Sequence, residues 1–490
     1  MKILPDFYDF IQLLIFIPQP VQMRSYKFEL FTTAIEKNIQ LGIYQPGHKL
    51  PSIRELKKQY QTSISTIQNG YEHLIILGLV VSVPKSGYYV ATHLPQKPNE
   101  SMQTNPVVRD AVFEKKIELI TSSGTKKKLI EFNVAMAGDL IISQKLLLRT
   151  MQQMIRTQGV SLLRYYPPGG SEALKSNIAK HAIQYGLRIN PRELLITDGA
   201  LQALFIALSS VCKAGDVIAV ESPCVFSILE VISVLQLKVV EVPVDSSIGF
   251  DTDFFRRACR KGRIKALVIT PNFHNPTGLL LSDEIKKTLV DISQQHDIAV
   301  IENDIYGDLN FNGNRPSTLK NFDESGLVMT FTSYSKTLAP GIRLGWLSAG
   351  KFFQRAEQVR FSLGSTASPI YQETVNHLLS STSYDRHIRS FRMLLAKNAY
   401  FTINLLSRYF PQDMFIIPPS GGYNLWARMP NRTDMDDFYR KCQSIGVRFT
   451  PGSTFAFSAK FPNHFRVVFA DKYSPPKIRA LERIGKLMSR

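Results

Sequence analysis

From about Leu129 to the end of the chain, helical patterns alternate with short apolar runs. The clearest runs are 194–197 (LLIT), 217–220 (VIAV), 266–269 (ALVI), 298–301 (IAVI) and 327–331 (LVMTF). Apolar strands separated by helices imply a largely parallel sheet covered on both faces, an α/β fold. Ligands of such sheets bind outside the carboxyl ends of the strands. The chemistry is therefore expected just after each run.

The residues after the runs meet that expectation. After Thr197, Asp198-Gly199-Ala200-Leu201 forms a glycine turn opening a helix, whose backbone N–H groups can hold a phosphate. After Ile269 stands Thr270-Pro271-Asn272-Phe273-His274-Asn275-Pro276-Thr277-Gly278, and after Ile301 stands Glu302-Asn303-Asp304-Ile305-Tyr306. After Phe331 come Ser333-Tyr334-Ser335-Lys336-Thr337 and then Pro340-Gly341-Ile342-Arg343. A lysine flanked by hydroxyls and followed seven residues later by arginine suits an aldehyde that carries a phosphate. The lysine supplies the imine. Ser333, Ser335 and Arg343 supply charge-assisted phosphate bonds. A lone lysine is usually a solvated side chain, but the four companion motifs weigh against that here.

At 490 residues the chain exceeds one hydrophobic core, so two or more domains are expected. Its net charge of +19 and pI near 9.6 suggest a polyanionic partner, most often nucleic acid. Cys212, Cys224, Cys259 and Cys442 show neither metal spacing nor a disulfide framework, which fits a reducing cytosol and no metal site. The apolar stretch 10–17 (FIQLLIFI) is too short to span a bilayer, and it lacks a basic flank and a cleavage site. Residues 1–22 read as an upstream start extension or a short appended segment. No membrane association is expected.

Residues 23–92 read as three helices and a two-stranded ribbon. The first helix runs over 26–40, with Leu30, Ala34 and Ile35 on one face and Gly42 beyond its end. Ser52 and Glu55 have capping-box spacing for the second. Thr62-Ser63 caps the third, which turns Ile67, Tyr71 and Leu74 inward, turns Ser65, Thr66, Gln68 and Asn69 outward, and closes at Gly78. Strands at 79–83 and 88–90 flank a turn at 84–87. This is a winged helix-turn-helix, whose third helix can enter a major groove. Residues 93–128, rich in proline and charge, read as a linker. Its Lys126-Lys127-Lys128 run either touches phosphates or is simply solvated.

The runs PGHKLPSIRELKKQY, SISTIQNGYEHLIILGLV and KSGYYV resemble the GntR-type winged-helix family. That resemblance implies that Arg54 contacts phosphate or base. It implies that Ser63, Ser65 and Thr66, with outward Gln68, present the recognition helix, and that Lys85 and Gly87 belong to the wing. Many relatives carry a basic residue where Ile64 stands, so one polar contact is missing. Residues 129–490 resemble the fold-type I PLP-dependent aminotransferases, with a large, mostly parallel domain and a small C-terminal α+β domain. Lys336 is then the internal-aldimine lysine of pyridoxal phosphate. Asn275 and Tyr306 would bond its phenolic oxygen. The backbone of Gly199, Ala200 and Leu201, with Ser333, Ser335 and Arg343, would hold its phosphate. Tyr165, in the run YYPPGG, resembles the tyrosine that reaches the neighbouring subunit's phosphate. Arg466, in FRVV, resembles the arginine that clamps a substrate carboxylate. Gly421-Gly422-Tyr423 matches a small-domain loop.

Together the two modules resemble the MocR subfamily of bacterial regulators. The resemblance implies a cytoplasmic, head-to-tail homodimer that binds an operator in duplex DNA. Two departures bear on catalysis. The family's aspartate at the pyridine nitrogen is Asn303 here, and a neutral amide cannot stabilise a pyridinium charge. Asp304 is adjacent, but successive strand side chains face opposite ways, so it could substitute only through a bulge or register shift. Val225 stands where an aromatic commonly stacks on the cofactor ring, with Phe226 beside it. The expected function is a regulator that captures an amino acid or amine effector as an aldimine and seldom completes transamination. A working aminotransferase with an attached DNA-binding module is the alternative, opposed by Asn303. A regulator that has lost the cofactor is a third reading, opposed by Lys336 and Arg343.

Overall fold

Side-chain caps and one apolar face per helix build the first unit. The computed structural model describes residues 27–488 apart from 41, 77–78, 84–85, 91–104, 113–128, 139–142, 246–248, 262, 312–313, 365–366 and 459. Residues 1–22, Gly78, Lys85 and the lysine run 126–128 lie outside the described residues. The chain divides into two units between Leu94 and Pro95.

The first unit holds α1 (Lys27–Gln40), α2 (Ile53–Tyr60), α3 (Ile64–Ile76), β1 (Val80–Val83) and β2 (Gly87–Val90). Ser52 and Glu55 form the expected capping box: Glu55 accepts from the Ser52 N–H at 2.6 Å, and Ser52 Oγ accepts from the Glu55 N–H at 3.3 Å. β1 pairs with β2 antiparallel as the wing. Ile67, Tyr71 and Leu74 are buried as expected. Of the expected face of α1, Ile35 is buried and Ala34 half-buried, the side chain of Leu30 lies outside the described residues, and Phe31 and Ile39 are buried as well.

In chain order the second unit carries β3 (Val108–Asp110), β4 (Ile130–Glu131), β5 (Leu194–Thr197), β6 (Val217–Ser222), β7 (Lys238–Asp245), β8 (Gly249–Phe250), β9 (Ile264–Ile269), β10 (Ala299–Asn303), β11 (Val328–Ser333) and β12 (Gly345–Ser348). The main sheet runs β3-β7-β6-β9-β10-β11-β12-β5, with β8 added on β7. From β7 to β11 every pairing is parallel. β12 runs antiparallel to both neighbours, β11 and β5. The carboxyl ends of β5, β6, β9, β10 and β11 therefore share one edge, and the loop leading into β12 arrives there too.

Strand alternation sorts the core into two layers. Ala266 and Val268 of β9 pack with helices Ala200–Val211, Phe226–Val234 and Phe353–Ser362. Ile264, Leu267 and Ile269 pack with helices Thr252–Lys261 and Asp283–Gln295. The expected linker needs a correction: residues 108–110 of it form β3, an edge strand paired antiparallel to β7, Val108 opposite Val240. The C-terminal part adds β13 (Phe415–Ile417), β14 (Asn424–Arg428), β15 (Val447–Arg448), β16 (Thr450–Pro451) and β17 (His464–Val468). β13, β14, β17 and β16 form an antiparallel sheet, while β15 pairs with β4. With helices Ser383–Tyr409, Met435–Ser444 and Pro475–Met488, this is the expected small α+β domain. Among the described residues no helix is long and apolar enough to cross a membrane.

Gly70 of α3 is the close-approach point of the first unit. A Cβ built there would lie 2.1 Å from Phe31 Cζ of α1. Overpacking of about 1–3 kcal/mol outweighs the roughly 1 kcal/mol that alanine gains over glycine in a helix. Gly70→Ala is expected to destabilise the first unit, measured in the full chain as faster amide hydrogen exchange over residues 27–83.

Candidate functional site

The carboxyl edge of the sheet opens into a cleft of about 980 Å³, including its mouth. Lys336 enters it from a single helical turn, Tyr334–Thr337, directly after β11. That turn is held from four sides. Ser333 Oγ accepts from the Ser335 N–H at 3.2 Å and donates to Leu344 O at 3.2 Å. Ser335 Oγ donates to Ile342 O at 2.7 Å. The Tyr423 hydroxyl donates to Lys336 O, and His387 Nε2 donates to Thr337 O at 2.7 Å. The lysine ammonium itself donates to Ala135 O at 2.5 Å.

Burial pulls the Lys336 pKa down to about 8, and the nearby guanidinium groups of Arg466 and Arg343 add to the effect. A buried amine beside two fixed cations loses its proton more easily than a solvated one. Near neutral pH Lys336 therefore stands within reach of its nucleophilic, neutral form.

Arg343 joins two of the strand-end motifs. Its Nη2 donates to Asp198 O at 3.3 Å, and its Nη1 lies 3.5 Å from Ser335 Oγ. Gly199 has φ +98°, and a Cβ there would come within 3.1 Å of Arg343 Nη2, so the turn requires glycine. Helix Ala200–Val211 starts at this turn without a side-chain cap. Its first N–H groups, at Ala200 and Leu201 on the cleft wall, remain available to an anion.

Arg466, on β17, is buried and lines the same cleft. Its Nη1 donates to Asn275 Oδ1 at 2.9 Å, and its Nη2 donates to Thr450 Oγ1 at 3.1 Å and to Asn133 O. All three partners are neutral. No carboxylate pairs with Arg466 among the described residues, Nε has no partner, and burial lowers its pKa to about 10. The Phe455 and Phe226 rings lie 5.2 and 5.8 Å from its guanidinium carbon. The Tyr306 hydroxyl is fully buried beside Asn275 and Asn424, without a hydrogen bond of ordinary geometry.

Asn303 ends β10 and faces the cleft, its Nδ2 3.3 Å from Thr270 Oγ1. The β10–β11 register is unbroken from Val300 to Asn303, so no bulge redirects Asp304. Asp304 points to the other side of the strand. There it accepts from Asn272 Nδ2 at 2.8 Å and pairs with Arg315, which also donates to Asp308 at 2.5 Å. Val225 and Phe226 both line the cleft. Tyr165 does not: it is 92 % exposed on its own chain. Sequence reading missed the carbonyls of Asn133 and Ala135, the Thr450 hydroxyl, and the His387 and Tyr423 contacts. Of these only Tyr423 stood in a motif that the sequence singled out.

On the first unit Arg54, Lys57, Lys58 and Gln68 are exposed. Ser63 Oγ accepts from the Thr66 N–H at 3.1 Å and lies 2.7 Å from Thr66 Oγ1, so both hydroxyls serve the cap of α3. The side chain of Ser65 and all of Lys85 lie outside the described residues. Gly87 takes φ +119° at the start of the returning wing strand. Tyr88 stacks on Tyr71 at 3.9 Å, fastening the wing to α3.

The model for aminotransferase class I and II matches residues 137–484, and that for bacterial regulatory proteins of the gntR family matches residues 32–90. The chain belongs to the class I and II aminotransferase family. With the gntR-type module ahead of that domain, it has the arrangement of the MocR subfamily of regulators. This MocR-type chain is 30 % identical over 466 residues to the uncharacterized HTH-type transcriptional regulator YdcR of Escherichia coli, covering 94 % of this chain and 99 % of that one. It is 29 % identical to YjiR of the same organism, an uncharacterized regulator of the same type, over 95 % and 99 % of the two chains. Among solved structures, the multiple substrate aminotransferase of Thermococcus profundus superposes with a TM-score of 0.71 at 20 % identity, over 77 % of this chain and 94 % of that one. LysN, the alpha-aminoadipate aminotransferase of Thermus thermophilus, gives 0.69 at 23 %, over 74 % and 92 %. At these identities the MocR-type chain shares their fold.

The lysine environment has a direct consequence. Modification of Lys336 by an amine-directed aldehyde, trapped by borohydride and read by peptide mass spectrometry, is expected to rise with pH around a midpoint of about 8. Arg466→Gln removes a neighbouring cation but not the burial, so the midpoint is expected to move up part of the way toward that of a free lysine.

Proposed function

We infer that this chain is a DNA-binding transcription regulator whose aminotransferase-like unit binds pyridoxal phosphate and senses an amino acid. One observation carries the inference. Lys336 and the carboxylate-free Arg466 face a common cleft, and a neutral amide, Asn303, occupies the position where catalysis calls for an acid.

The residues present fit the cofactor. An amine of lowered pKa, an uncapped helix start beside Arg343 and an orphaned buried hydroxyl on Tyr306 match its aldehyde, phosphate and phenolic oxygen. When bound, pyridoxal phosphate supplies an aldehyde that an amine can condense with and a ring that can draw electrons from the captured amine. Lys336 presents the amine. Arg343, Ser335 and the N–H groups of Ala200 and Leu201 would hold its phosphate. Asn275 and Tyr306 would hold its phenolic oxygen, and Val225 would offer the ring an apolar contact. Arg466 takes the effector's carboxylate, which supplies the negative charge that its surroundings lack. Asn303 can hydrogen-bond the ring nitrogen but cannot balance a positive charge there. Amine exchange needs no such balance, whereas proton loss from the captured amine does. The chain therefore captures more readily than it converts. Differential binding of the effector then shifts the protein between states of different DNA affinity. The exposed Tyr165 suits a role in a second copy's cleft, as in a head-to-tail dimer in the cytoplasm. Exposed Arg54 and Gln68 suit contacts to an operator.

The test is an absorbance titration of the pyridoxal phosphate-loaded protein with a panel of amino acids and amines. A spectral change that persists without keto acid release is expected, and it should be absent in Arg466→Leu. Conversion to pyridoxamine phosphate with release of a keto acid would make the second unit a working aminotransferase. Asn303→Asp is expected to raise keto acid release by roughly tenfold or more.

A further inference from the structure

The winged helix does not account for the charge of the chain. Residues 24–92 hold 8 Lys and Arg against 4 Asp and Glu, whereas residues 129–490 hold 43 against 30. Most of the excess lies on the aminotransferase-like unit, and part of it is concentrated. Between Thr252 and Lys265 stand six Lys or Arg and a single acid, Asp253.

The helix Thr252–Lys261 explains the arrangement. Phe254, Phe255, Ala258 and Cys259 are buried against the sheet. The opposite face carries Arg256, Arg257, Arg260 and Lys261, and the chain continues through Arg263 and Lys265 into β9. Asp253 is already taken by Arg256 at 2.8 Å. Arg257, Arg260, Lys261, Arg263 and Lys265 are all exposed, and none has an ion-pair partner among the described residues. A face that only needs solvation interleaves both signs; five like charges in nine residues repel one another. Arg257, Arg260 and Lys261 stand at i, i+3 and i+4, side by side over about 6 Å of helix axis. That span matches successive phosphates of one DNA strand, about 3.4 Å apart along the duplex. The patch leads into the amino end of β9, and the cleft lies at the carboxyl end, roughly 17–20 Å away along the strand.

We propose that Arg257, Arg260, Lys261, Arg263 and Lys265 form a second DNA-binding surface, which grips duplex phosphates without reading sequence. The proposal rests on the DNA-binding reading above and adds to the winged helix a grip on the other unit. Guanidinium forks suit phosphate oxygens, so the three arginines carry the geometry and the lysines add charge.

The experiment measures binding of the full-length chain to a long non-operator duplex over a range of salt concentrations. It compares the parent with Arg54→Ala and with the triple variant Arg257→Gln, Arg260→Gln, Lys261→Gln. Glutamine keeps helix propensity at these exposed positions, and an unchanged pyridoxal phosphate spectrum checks that the second unit stays folded. The triple variant is expected to weaken binding and flatten the slope of log affinity against log salt by roughly 2–3, at about 0.9 for each phosphate no longer neutralised. A slope unchanged in the triple variant but reduced in Arg54→Ala overturns the patch and leaves the winged-helix reading standing. Failure of the parent to bind duplex at all overturns both. An unchanged DNA slope with weakened binding to phosphatidylserine vesicles assigns the patch to an anionic membrane and overturns the proposal.

Discussion

Positive charge without a facing carboxylate governs the cleft of the second unit. Arg466 is buried, Lys336 is half-buried, Arg343 stands at the same cleft, and no carboxylate among the described residues lines that cleft to balance them. Burying a charge without its counterion is costly unless hydrogen bonds or a ligand offset it. Neutral groups offset part of it here. Arg466 leans on the oxygens of Asn275, Asn133 and Thr450, and Lys336 on the carbonyl of Ala135. The remainder shows as a lysine that gives up its proton easily and a guanidinium that lacks an anion. Both tendencies prepare the cleft for a ligand with a reactive carbonyl and negative charges.

Such a site holds only if its walls cannot relax. The Lys336 turn is fastened through the carbonyls of residues 336 and 337 by Tyr423 and His387. The β10 exit is fastened from behind: Arg315 ties Asp304 to Asp308, and Tyr384 donates to Asp308 at 2.7 Å. His387 and Tyr384 lie one turn apart on the same helix, Ser383–Tyr409. One long element thus braces both segments that face the cleft. Asp308 is held well below the usual carboxylate range by Arg315 and His181 although it is enclosed.

Sequence reading found what side-chain chemistry and period announce. Strands β5, β6, β9, β10 and β11 were visible because strands buried on both faces are continuous apolar runs. Lys336, Arg343, Asn275, Asn303 and Tyr306 were visible because each stands just after such a run, and the fold gathers them at one edge. Ser52 and Glu55 were legible as a local pair three residues apart. Other features have no local signature. β3 is three exposed residues, recognisable only through its pairing with β7, which is distant in the chain. Asn133 and Ala135 act through backbone carbonyls, which any residue possesses. Thr450 meets Arg466 only because β16 pairs with β17. Phe31 and Ile39 also belong to the buried face of α1 and were overlooked beside Ala34 and Ile35. Gly70 showed no sign that Phe31 would lie against it.

The parity of one strand decides which of two neighbouring side chains enters this cleft. Residues 303 and 304 hold an amide and a carboxylate side by side, and β10 sends them to opposite faces. A slip of one residue would exchange them and place the acid in the cleft. The ion pair to Arg315 opposes that slip, because breaking it would strand a buried guanidinium. The same pairing that braces the site from behind therefore keeps the carboxylate out of it. The fold is that of an aminotransferase, but fold alone does not decide activity. What β10 presents to the cleft is the amide of Asn303, on a strand whose register is locked elsewhere.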